Sequence, residues 1–142
     1  MYSFFQPVHS YLAYFLLTAL ISTVGYALYA AFTSESNPRV LQKLALISMI
    51  FSHIQLLIGL AVYGVSPYGF SNLSGAAMAD ATQRLLALEH PFTNILAILL
   101  ITVGYRKVKK AVAGNTAKYV LIYYGIGLLL LMSRIPWGLW FQ

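Results

Sequence analysis

Apolar residues run almost unbroken through this chain, and polar residues collect at a few points between the runs. Four apolar stretches are each long enough to cross a bilayer, which takes about 20 residues of helix. They run from about Val8 to Phe32, Val40 to Gly64, Thr82 to Tyr105 and Tyr119 to Trp137. The connections carry turn formers. Thr33–Pro38 reads Thr-Ser-Glu-Ser-Asn-Pro, Val65–Asp80 holds Pro67, Gly69 and Gly75, and Arg106–Lys118 is rich in lysine. Within the middle connection, Ser74–Leu88 has the pattern of an interfacial helix or of an extension of the third span. The whole pattern predicts an all-α, up-down four-helix bundle, one transmembrane domain over residues 1–142.

Composition narrows the class. The chain is 60% hydrophobic and only 8% charged, whereas a soluble domain carries about 25% charged residues. Such a chain cannot cover a water-facing surface, so soluble enzymes, nucleic-acid binders and disordered chains are excluded. Nine Lys and Arg against three Asp and Glu give a net charge of +6, and their placement turns that charge into a topology signal. Arg39, Lys43, Arg106, Lys107, Lys109, Lys110 and Lys118 flank the first and third connections, while only Arg84 and Arg134 lie toward the other side. The positive-inside rule then predicts those two connections in the cytoplasm and both termini outside. The start, Met-Tyr-Ser-Phe-Phe-Gln-Pro, lacks the basic region of a cleaved signal peptide, so the first span reads as a retained helix. Tyr2, Phe4 and Phe5 with Trp137–Phe141 would form an outer aromatic belt. Having no cysteine, the chain has no disulfide, thiolate metal site or cysteine nucleophile. A Gly-rich phosphate loop, a nucleophile elbow and a His-Glu-x-x-His motif are all missing as well.

An internal echo is present. Thr23-Val24-Gly25-Tyr26 returns as Thr102-Val103-Gly104-Tyr105, and Ile58-Gly59-Leu60 as Ile126-Gly127-Leu128. A duplicated two-helix hairpin, arranged as a parallel repeat, would leave this trace. Gly, Leu and Tyr also recur by chance in membrane chains.

Ionisable groups inside a span cost about 2.5–3.5 kcal/mol at its centre and need a reason. Here they are His9, His53, Glu89, His90, Arg84 and Arg134, with Gln55 and Asn94 nearby in the pattern. His53 and His90 are equidistant in sequence from Ser71–Asn72, so a symmetric hairpin brings them to similar depth. The echo argues instead for His9 with His90, which precede Gly25 and Gly104 by similar lengths and fall within about 3 Å in depth. In an up-down bundle the first and third spans can also lie diagonally. The two depth arguments disagree, and His53 with His90 is preferred because the helix around His53 reads as spanning rather than merely interfacial. Neutral imidazole is a strong axial ligand for haem iron, and bis-imidazole ligation suits electron transfer. Arg84 and Arg134 would pair with haem propionates, and Gly59, Ala61, Ala87 and Ala97 would leave room beside the ring. Pro91 removes a backbone donor and frees the carbonyl of Ala87, so a kink there could aim His90 inward. Glu89 and Gln55 are candidate proton or quinol partners. Against this stands the plainer reading of hydrogen-bonded packing histidines.

His9-Ser10, Ser52-His53-Ile54-Gln55-Leu56-Leu57-Ile58-Gly59-Leu60, Glu89-His90 and Ile135-Pro136-Trp137 together resemble a bacterial family of small four-helix membrane proteins, loosely described as cytochrome b-like. The resemblance spans essentially the whole chain and implies a b-type haem protein of the bacterial inner membrane. It carries His9, His53 and His90 as signature positions without choosing between them. Tyr11-Leu12-Ala13-Tyr14 departs from the Gly-Trp-Arg-Trp-like run common there. More distantly the chain resembles four-helix haem-associated protoporphyrinogen oxidases and the half-bundles of haem A synthase. The expected function is bis-histidine haem b electron transfer in a respiratory or quinol-linked chain, with quinone as a further cofactor. The competing reading is a non-enzymatic accessory or assembly subunit, its histidines serving as packing, metal or proton-relay residues. Expected partners are lipid, other membrane-complex subunits and another copy of the chain, with no nucleic acid.

Overall fold

The computed structural model describes residues 1–33 and 37–140, without the Ala113 side chain. Residues 34–36 of the expected first turn and Phe141 of the expected aromatic belt lie outside the described residues. Among the described residues six helical segments, short 3-10 turns aside, occur in chain order: α1 Tyr2–Thr33, α2 Pro38–Val65, α3 Gly75–Ala79, α4 Ala81–Lys110, α5 Thr116–Ser133 and α6 Trp137–Trp140. Of these, α1, α2, α4 and α5 are long and apolar enough to cross a membrane. Between 22% and 28% of the residues in their spanning windows are buried inside the protein, which leaves the remaining apolar surface for lipid. The chain is a small multi-pass membrane protein.

Local chemistry explains the boundaries. Asn37 caps α2 by accepting from the backbone of Arg39 at 3.0 Å, and Pro38 fills the first helical position. Ser74 caps α3, and Asp80 both ends α3 and caps α4 by accepting from Gln83 N at 2.8 Å. Ser74–Leu88 is therefore a short helix followed by an extension of the third span. That span runs beyond the expected Tyr105 to Lys110, because Lys107, Lys109 and Lys110 suit the negative end of the helix dipole. The fourth span stops at Ser133 instead of Trp137. Arg134 leaves the helical backbone at φ −123° and ψ 17°, and Pro136 cannot rejoin it.

The four spans form a ring in which α1 packs on α2 and α5, and α4 packs on α2 and α5. α1 and α4 are diagonal. Seven of the basic residues gather at one end of the bundle, and both described termini lie at the other, where Tyr14 stacks on Trp140 at 4.6 Å. The half toward the basic end is densely packed around Leu20, Leu41, Ile101, Val108, Val120 and Tyr124. Its polar groups tie helices together. Thr23 Oγ1 donates to Ala19 O and accepts from Ser48 Oγ at 2.8 Å, joining α1 to α2. The Tyr124 hydroxyl donates to Ala45 O at 2.8 Å, joining α5 to α2.

Gly104 and Gly25, equivalent in the sequence echo, are not equivalent in packing. A side chain at Gly104 would run into Cβ of Tyr123 on α5, whereas nothing lies within 4 Å of a Cβ placed on Gly25. Gly104→Ala should therefore wedge α4 from α5 and destabilise the fold by about 1–3 kcal/mol, the usual range for overpacking. Gly25→Ala should leave stability unchanged or slightly higher. Thermal unfolding of the two variants in detergent checks the difference.

Candidate functional site

Where the basic half is solid, the other half opens into a cavity of about 530 Å³. Buried Leu16, Ile98 and Leu131 form its floor, and Gln6, Tyr68, Gln83 and Trp140 stand among the residues of its walls and mouth. Its lining is mostly apolar, as in small-molecule and cofactor sites generally. Polar groups converge on one region within it.

All four spans contribute there. From α1 and α4, His9 and His90 face each other across the diagonal with ring centroids 6.2 Å apart and planes at 81°. From α2, the Gln55 amide donates to His9 O at 3.0 Å and stands 3.2 Å from His9 Nδ1. Gly59, one turn further along α2, makes room for the ring, since a Cβ there would lie 3.0 Å from His9 Cε1. Just beyond α5, Arg134 O accepts a hydrogen bond from His90 Nδ1 at 2.7 Å. That bond places the remaining lone pair on Nε2, which faces Asn94 Nδ2 at 3.0 Å. A backbone carbonyl holding Nδ1–H is also the usual support of a metal-ligating histidine.

The expected pairing of His53 with His90 is not the one the fold brings together. His53 is exposed on the outside of the bundle, its Nδ1 on Met49 O at 2.8 Å and its Nε2 3.4 Å from Thr102 Oγ1. Thr102 lies about 18 Å along α4 from His90, at 1.5 Å per residue. Hairpin symmetry misplaced it because the connection is not symmetric. Phe70 folds back against the Tyr63 ring at 6.3 Å, and α4 starts beyond the end of α2. Tyr63, near that end, is the α2 residue that reaches α4 close to His90, donating to Ala87 O at 2.9 Å.

The arginines expected at haem propionates are engaged elsewhere. Arg84 Nε binds Glu89 Oε1 at 2.9 Å and Arg84 also donates to Met78 O, while Arg134 Nε stands 3.7 Å from Glu89 Oε2. None of the three lines the cavity. Of the small residues expected beside a ring, Gly59 does line it. Ala61, Ala87 and Ala97 do not.

These residues suit a ligand held between two imidazoles. Metal–imidazole bonds are about 2.0–2.1 Å long, so two rings on opposite sides of one ion have centroids about 6 Å apart. His9 and His90 match that spacing in an edge-to-face arrangement, with their ring nitrogens turned to Gln55, Asn94 and Arg134 O, so the imidazoles would have to rotate to share one ion. Beside the rings, the amide oxygens of Gln55 and Asn94 are buried without a hydrogen-bond partner. No group of three or more His, Asp or Glu positioned for a bare metal ion exists among the described residues. No protein-family model matches the chain, and neither does any curated protein or solved structure.

Because Gly59 leaves the space that His9 occupies, Gly59→Leu should push the ring away from His90. Nitrogen-15 spectra of histidine-labelled protein should then show the His9 imidazole signals moved and the His53 signals unmoved.

Proposed function

We propose that this chain is a small b-type haem protein of a bacterial inner membrane, with His9 and His90 as the axial ligands, passing electrons in a respiratory or quinol-linked chain. The observation that carries this reading is the diagonal histidine pair, 6.2 Å between centroids, inside a mostly apolar cavity of about 530 Å³. When bound, haem supplies a one-electron iron couple with both axial positions closed. The chain's own residues do the holding. Arg134 O orients His90 through Nδ1, Gln55 and Gly59 seat His9, and Leu16, Ile98 and Leu131 exclude water from below. The echo of the first hairpin in the second is in keeping with it, since a parallel duplication would give His9 and His90 corresponding places.

The engagement of Arg84 and Arg134 by Glu89 favours the second reading, an accessory subunit whose histidines pack helices inside a larger complex or beside another copy. A spectrum separates the two. Protein purified from cells supplied with haem precursor should show a Soret band and a sharp reduced-minus-oxidised α band. His9→Ala and His90→Ala should each abolish the low-spin spectrum, and His53→Ala should retain it. Purified protein with no Soret band after haem supply leaves the accessory reading standing.

The basic end is read as cytoplasmic, on the positive-inside rule. The chain has no cysteine, so single introduced ones report cleanly. In intact spheroplasts an impermeant maleimide should label Ser71→Cys, and should label Lys109→Cys only after permeabilisation. The reverse pattern would invert the topology.

A further inference from the structure

One turn before His90 the backbone of α4 departs from the α-helical pattern. Pro91 has no N–H, so Ala87 O lacks the α-helical donor it would otherwise receive. The backbone responds with a π-helical turn over Leu85–Glu89, in which His90 N–H bonds Leu85 O rather than Leu86 O. Such turns insert about one extra residue, and so rotate the downstream part of the helix by about 100° against the upstream part. Ala87 is fully buried, and water cannot rescue its carbonyl in an apolar surround. The Tyr63 hydroxyl on α2 donates to it at 2.9 Å.

We propose that Tyr63 is a positioning residue for the histidine pair: its hydroxyl caps the carbonyl freed by Pro91, holds the π-turn open, and so sets His90 toward His9. This rests on the haem reading only for its consequence, since the aim of His90 can be read without any cofactor. Tyr63 lines the same cavity but hydrogen-bonds neither imidazole. It acts through the backbone, on the α2 side, while Arg134 O holds the ring from the α5 side. Both ends of the α4 segment are thus anchored by a different neighbour.

The test removes one oxygen. In haem-free protein, Tyr63→Phe should shift the His90 imidazole nitrogen signals while leaving those of His53 in place, and Tyr29→Phe, at the basic end of α1, should shift neither. Haem affinity should fall about 10-fold, the lower end of what loss of an outer support of a metal ligand does. Pro91→Ala returns a backbone N–H to this turn, so Tyr63→Phe should have less than half its effect on both readouts in that background. This pair of backgrounds also guards against a simple folding defect, because a general loss of stability would be equal in both. Unmoved His90 signals in Tyr63→Phe, or an equal effect with and without Pro91, overturn the proposal. Should the wild-type protein bind no haem, the function proposed above fails, and the nitrogen signals still decide the role of Tyr63.

Discussion

Hydrocarbon offers no hydrogen bonds, and a polar group carried into it needs a partner from the protein itself. Around the cavity that requirement organises the bundle. His9 takes its partner from α2 through Gln55, His90 takes its own from the end of α5 through Arg134 O, and Ala87 O takes its own from α2 through Tyr63. Glu89 answers two arginines at once. Apart from Arg84–Glu89, which lies within α4, each bond crosses between elements, so satisfying a local demand also sets where one helix stands against the next. In the basic half the same rule acts through Thr23 with Ser48 and Tyr124 with Ala45 O, and there small and aliphatic residues close the remaining space.

The two halves divide the work. The packed half supplies rigidity: Gly104 lets α4 meet α5 closely, and Val108, Val120 and Tyr124 fill the interior. The open half has given up that packing for a cavity, and its walls hold their shape through polar bonds. The diagonal relation of α1 and α4 joins the two, because helices that are not packed side by side present side chains to each other across an interior space. His9 and His90 do so because α2 and α5 hold α1 and α4 apart.

Much of this was legible in the residues. Apolar run lengths gave four long helices with ends within about six positions, the largest shift being at α1, which starts at Tyr2 rather than Val8. The ends that moved did so for local reasons, the lysines extending α4 and Pro136 cutting α5 short. That Pro91 frees Ala87 O is also plain from sequence. The identity of the donor is not, because it depends on the register between α2 and α4, which the folded-back connection near Phe70 determines. The same register separates His53 from His90. The echo, with no assumption about that connection, paired His9 with His90 in depth. Charge placement revealed which connections share an end, but not that Arg84 and Arg134 would converge on Glu89.

The solid floor under the cavity has an electrical consequence. A charge crossing the whole membrane gains or loses about 2.3 kcal/mol per 100 mV. Leu16, Ile98 and Leu131 are buried and line the cavity on the side of the basic half. An ion that reached the pair from the end holding the termini would cross only part of that voltage drop, and exchanging charge there would do correspondingly less work against the field.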